Sequence, residues 1–171
     1  MGIRRFHTAG CTAALKCAAA TLWGYGWEYD ASAKVLLLPV PSFDADGMIV
    51  GGGRLEDILT PDTVVVAGNL KEEVLAPCRC IDLLKDAQYV AENAAITAHC
   101  ALKYILDGLP ATVSDSSFLI LGWGRIGKCL AQLLRNMGAD VTVYARKESD
   151  RAMLVALEYK ALPSLDEKLT E

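Results

Sequence analysis

Histidine is scarce in this chain: His7 and His99 are the only two in 171 residues. Chemistry that rests on imidazole has two places to stand, and a lone histidine is more often structural or solvated than catalytic. A sustained Lys/Arg tract is missing, and basic residues do not interleave with aromatics. With 17 Lys plus Arg against 21 Asp plus Glu and a formal charge of -4, the chain has no electrostatic footprint for nucleic acid. No apolar run is long enough to cross a membrane. The Ala-rich stretch 9–22 is too short and is interrupted by Lys16, Thr12 and Thr21. Arg4 and Arg5 precede it as they would in a twin-arginine signal, but no small-residue cleavage site follows, and a packed helix is the expectation. Paired C-x-x-C motifs are also absent, so Cys11, Cys17, Cys78, Cys80, Cys100 and Cys129 do not form a metal site. The expectation is buried free thiols in a reducing cytoplasm. A redox pair at Cys78-Arg79-Cys80 would strain a disulfide across its one-residue spacer.

What is present is apolar sequence, 53% of the residues, which suffices for a sizeable core. The most informative stretch runs from Phe118 to Arg146. An apolar strand ends in Gly122-Trp123-Gly124-Arg125-Ile126-Gly127, a helix follows with Leu130, Leu133, Leu134 and Met137 on its apolar positions, and a second strand spans 141–144. A G-x-G-x-x-G in that setting reads as a dinucleotide site. Gly122 serves the tight turn, Gly124 lets backbone approach a pyrophosphate, and Gly127 lets helix and strand pack closely. The alternative is that the glycines serve only a strand-to-helix turn. In an NAD site a carboxylate about 20 residues on would bind the adenosine ribose. Ala145 stands there instead, followed by Arg146 and Lys147, which favours NADP over NAD. The competing reading is a solvated basic turn ahead of Glu148 and Asp150.

The rest of the chain supplies an α/β pattern. Short apolar runs at 35–38 and 64–67 are expected parallel strands buried on both faces, with a helix at 9–22 before them and a short one at 55–59 between. No strand leads this layer in the sequence reading. The loop Pro39-Val40-Pro41-Ser42 follows a strand directly, which makes Pro41 and Ser42 the substrate-side candidates; a proline-stiffened turn is the alternative. Residues 87–106 read as a long helix bridging two domains and carrying Asn93, Thr97 and His99 as catalytic candidates. After the second strand of the glycine unit only one helical stretch, 150–157, is expected. The predicted architecture is thus α/β: a parallel-sheet N-terminal domain (1–86), a bridging helix (87–110) and the first half of a Rossmann nucleotide-binding domain (111–171). It reads as a fragment, a truncated gene product or a reduced homologue of a larger enzyme.

The proline loop, the strand ending in Ala67-Gly68, the helix with Glu92-Asn93-Ala94-Ala95-Ile96-Thr97-Ala98 and the segment Ile120–Gly127 together resemble the dipicolinate synthase family, in its nicotinamide-dependent first subunit. The glycine motif alone would equally suit a D-2-hydroxyacid dehydrogenase or an adenosylhomocysteinase. The resemblance implies a two-domain nicotinamide-dependent oxidoreductase. Such a protein works with a second, flavoprotein-like subunit during sporulation to make dipicolinate from a dihydrodipicolinate-type precursor. It also matches Gly2-Ile3-Arg4-Arg5 to the remnant of a Gly-Asp-x-Arg turn, and offers Arg4, Arg5, Ser42 and Arg125 as partners for a small dicarboxylate substrate. Two departures stand out: Thr97-Ala98-His99-Cys100 replaces Thr-x-Glu-Gly, so a carboxylate has become an imidazole, and the downstream half of the nucleotide domain does not follow. A half-built pocket cannot orient a hydride transfer by itself. Two other readings remain: a relative of the 2-hydroxyacid dehydrogenases, and a non-catalytic nucleotide-binding assembly module that pairs with itself through an exposed sheet edge.

Overall fold

A computed structural model describes residues 4–70 and 78–165. The chain divides into two compact units, Met1–Val90 and Ala91–Glu171.

The first unit is a parallel five-stranded sheet of order β2-β1-β3-β4-β5. Its strands are β1 (Arg4–Thr8), β2 (Trp27–Tyr29), β3 (Val35–Leu37), β4 (Val64–Ala67) and β5 (Arg79–Asp82), with helix α1 (Ala13–Gly24) after β1. β3 and β4 are the expected apolar runs, and Leu36 and Val65 are wholly buried in one core cluster. Contrary to the sequence reading, a strand does lead the sheet. It escapes a hydropathy reading because Arg4 and Arg5 are exposed and only Phe6 is buried, its ring meeting Trp27 and Tyr29 edge-on at 6.4 and 6.1 Å. Arg4 and Arg5 therefore lie within the strand and not in a turn after it. The Ala-rich helix begins at Ala13 rather than at residue 9, since Gly10 adopts a φ of +96° and the Thr12 hydroxyl caps the helix by accepting from the Leu15 N–H at 3.1 Å. The helix expected at 55–59 shrinks to a single 3-10 turn, Leu55–Asp57.

The second unit holds most of α2 (Ala87–Gly108), whose buried residues are Ala94 and Ala98. It continues with β6 (Ser117–Leu121), α3 (Arg125–Asn136), β7 (Asp140–Tyr144), α4 (Glu148–Ala156) and β8 (Lys160–Leu162). The sheet is parallel with order β6-β7-β8. The strand–helix–strand reading of residues 118–144 is confirmed, and the third strand, β8, is an addition. Ile120, Val141 and Val143 of the sheet pack with Ala131 and Leu134 of α3 and Leu154 of α4. Burying a side chain such as Leu134 stabilises by about 1.5–3 kcal/mol, and the summed burial holds α3 against the sheet. Both units are thus parallel α/β layers, as the sequence predicts.

The cysteines are a correction. All are free, but Cys11, Cys17, Cys80 and Cys100 are exposed and only Cys78 and Cys129 are half-buried. Partial burial, then the neighbouring Cys78, raises the Cys80 thiol above its ordinary value, which is the opposite of what a reactive thiol needs. Among the described residues no helix is long and apolar enough to cross a membrane, and no His/Cys/Asp/Glu cluster suits a metal ion.

Candidate functional site

The turn from β6 into α3 is built by glycines with separable duties. Gly122 adopts a φ of +114°, a left-handed conformation open to glycine at little cost. A Cβ on Gly127 would stand 2.3 Å from the Gly122 carbonyl oxygen, so no side chain fits between turn and helix. A Cβ on Gly124 would meet nothing within 4 Å, which leaves the backbone there open to an approaching ligand. Gly124 is also the N-cap of α3 and offers no side-chain acceptor to the first-turn N–H groups. Those orphan donors, aligned with the helix dipole, make an anion site, and the open backbone gives a pyrophosphate room to reach it.

Two cavities flank this turn. One of about 560 Å³ is lined by Gly122, Trp123, Gly124, Tyr144, Arg146, Lys147 and Asp150, among others. The tip of β7 forms its floor, as the place of an adenosine ribose requires. Ala145 is buried there, while Arg146 and Lys147 are exposed. Sequence reading missed two residues of this region. Asp150 places a carboxylate in the cavity lining, and Arg151 donates from Nη1 to the Ala145 carbonyl at 2.9 Å and the Arg146 carbonyl at 2.7 Å. The only available signal was helical geometry, which brings the first turn of α4 back beside the strand end that precedes it.

The second cavity, about 830 Å³, is lined by β6, by the glycine turn including Arg125 and Ile126, and by Leu130 and Leu134 of α3. Trp123 borders both cavities. It is 9% exposed, packs edge-on against Tyr159 at 5.4 Å and carries the Lys128 ammonium 5.7 Å from its ring centroid. Its indole N–H has no hydrogen-bond partner among the described residues. The Arg135 guanidinium lies 4.1 Å from the Tyr159 ring centroid, so Tyr159 is in contact with both Arg135 and Trp123.

Of the residues read from α2, Asn93 is exposed and Thr97, half-buried, donates its hydroxyl to the Asn93 carbonyl at 2.7 Å. Their four-residue spacing puts them on one face. His99 is exposed and, at roughly 3.6 residues per turn, points well away from that face. The structure joins the first two and not the third.

In the first unit, the order β2-β1-β3-β4-β5 reverses direction between β1 and β3, and ligands of open parallel sheets bind outside the carboxyl ends of the strands at such a switch point. The loop of Pro41 and Ser42 leaves β3 at that end, and the Val40–Pro41 peptide bond is cis. Pro41 is exposed. Ser42 is fully buried, with its hydroxyl 2.7 Å from the Pro39 carbonyl, 3.0 Å from the Gly68 carbonyl and 3.1 Å from the Gly68 N–H, so it ties the loops after β3 and β4 together. Arg4 and Arg5 sit at the amino end of β1, away from the switch point. Arg5 pairs with Asp30 at 3.4 Å and Glu28 at 3.8 Å, and Arg4 lies over Trp27, which removes both from the substrate candidates.

Residues 105–171 match the model of the D-isomer specific 2-hydroxyacid dehydrogenase NAD-binding domain. The matched residues take in the whole of the unit from β6 through the glycine turn to β8. A nicotinamide dinucleotide is accordingly the cofactor its glycine turn is built for, and the open backbone at Gly124 and uncapped start of α3 fit that group. Over the whole chain, the structure is similar to the first subunit of dipicolinate synthase from Bacillus halodurans, with 16% identity and a TM-score of 0.71 over 94% of this chain and 69% of that one. It is similar also to the corresponding chain of dipicolinate synthase from Bacillus subtilis, with 15% identity and a TM-score of 0.68 over 95% of this chain and 67% of that one. The pyruvate reductase of Chlamydomonas reinhardtii is more distant, with 18% identity and a TM-score of 0.53 over 96% of this chain and 57% of that one. At these identities the likeness shows the fold alone, the one it shares with the first subunit of dipicolinate synthase. No curated protein matches the sequence.

Proposed function

We propose that this chain is the nicotinamide-dependent component of a dipicolinate synthase in the cytoplasm of a sporulating cell, binding NADP and oxidising a dihydrodipicolinate-type dicarboxylate to dipicolinate together with the enzyme's second subunit. The observation that carries the NADP reading is the tip of β7. Where a ribose-binding carboxylate would stand there is a buried Ala145, and the exposed Arg146 and Lys147 follow it beside an open cavity. The planar fork of Arg146 suits two oxygens of a 2′-phosphate, and Lys147 adds a compact charge. The N–H groups opening α3 hold the pyrophosphate, and Trp123, Arg125 and Ile126 wall the turn that presents them.

A bound nicotinamide dinucleotide would supply the acceptor for the hydride that a dihydropyridine dicarboxylate loses, together with one proton released to water, on becoming the pyridine. The chain's own residues bind and orient. In the first unit the substrate-side residues are Pro41 and the loop held by Ser42, and in the second Asn93 and Thr97 carry an amide and a hydroxyl on one face of α2. Incubating this chain with a second dipicolinate synthase subunit, NADP⁺ and a dihydrodipicolinate is expected to give dipicolinate and NADPH in equal amounts. Nucleotide binding without product under those conditions would sink the enzymatic part and leave the binding part standing.

A second reading, a non-catalytic nucleotide-binding assembly module, is favoured by one specific observation. β6 is an edge strand without charge or proline, and it leaves Leu119 38% and Leu121 67% exposed. Such an edge invites pairing with a second copy of this chain.

A further inference from the structure

The turn that carries Arg146 and Lys147 has an anchor of its own. Ala145 is fixed to the sheet by its N–H, which donates to the Leu162 carbonyl at 3.3 Å. Beyond it the chain leaves the sheet, and the next two side chains are exposed. The carbonyls of Ala145 and Arg146 nevertheless point at one cation. Arg151, half-buried in the first turns of α4, donates from the same Nη1 to both, at 2.9 and 2.7 Å. Charge-assisted bonds of this length are roughly twice as strong as neutral ones. Two of them on consecutive carbonyls fix the peptide planes on either side of the Arg146 Cα, and hence the direction in which its side chain leaves the backbone. Arg151 does not border the cavity that Arg146, Lys147 and Asp150 line.

We propose that Arg151 is a positioning residue for nucleotide selection: by clamping the carbonyls of Ala145 and Arg146 it aims the Arg146 guanidinium at the 2′-phosphate of NADP. This rests on the NADP reading of the same site. Without the clamp Arg146 becomes a mobile surface cation, attractive to phosphate but without the fixed bidentate geometry. The opposing charge of Asp150 in the same cavity then weighs more against a 2′-phosphate.

The test is calorimetric titration of the whole chain and of Arg151→Met and Arg151→Lys with NADPH and with NADH, alongside thermal melts. Arg151→Met is expected to weaken NADPH binding about tenfold, the loss of one good charge-assisted contact, and to leave NADH binding within about twofold. Arg151→Lys, which keeps a cation able to reach at least one carbonyl, should recover part of the difference. Equal losses for both nucleotides would show a role in folding alone and overturn the proposal, as would unchanged NADPH binding in Arg151→Met. If the unsubstituted chain shows no preference for NADPH, the NADP reading falls first and this inference with it, so the two failures are told apart before any variant is made.

Discussion

A methyl group added at Gly124 meets open space, and one added at Gly127 meets a carbonyl oxygen at 2.3 Å. The two glycines of one motif therefore fail differently. Gly127→Ala should cost about 1–3 kcal/mol of stability, in the range of overpacking, and lose nucleotide binding with the deformed turn. Gly124→Ala should melt like the parent and bind NADPH at least about tenfold more weakly, because its methyl group stands where the pyrophosphate must approach. Thermal melts paired with calorimetry read both, and a Gly124→Ala variant that binds as the parent does would show that no phosphate lies against that backbone. These glycines were legible in the sequence because each duty demands the absence of a side chain. Arg151 was not. Its carbonyl partners are set by the path of the β7–α4 turn, which no residue type announces. Nor was the burial of Ser42, whose hydroxyl binds carbonyl and amide groups of Gly68, distant in sequence.

At the scale of elements, the strands legible from hydropathy are β3, β4, β6 and β7, whose residues are mostly apolar and pack on a core. Those that were not, β1, β2, β5 and β8, are short or carry exposed side chains such as Arg4, Arg79 and Lys160. They are strands because a neighbour offers them a hydrogen-bonding edge. That dependence on pairing also bears on β6. Leu121 is 67% exposed on an edge with no protecting charge, so Leu121→Lys should leave stability nearly unchanged. Light scattering over a concentration series is expected to show a dimer for the parent chain and a monomer for the variant. A parent mass that stays monomeric at every concentration would remove the edge-pairing module.

For the molecule as a whole, each unit is a parallel α/β layer with a candidate ligand site that its topology explains: the switch point between β1 and β3 in one, the glycine turn after β6 in the other. The second was readable because the motif, its flanking strand and its helix are contiguous in sequence. The first depended on a strand order that only long-range pairing sets, so the proline loop was seen without the crevice that gives it meaning. The nucleotide that the second unit selects is the property on which its chemistry turns. Titrating the chain and Arg146→Ala with NADPH and NADH decides it. NADPH binding at least about tenfold tighter than NADH, with the difference erased in Arg146→Ala, is the expected result. Equal binding of the two, or a preference for NADH that Arg146→Ala leaves untouched, would contradict it.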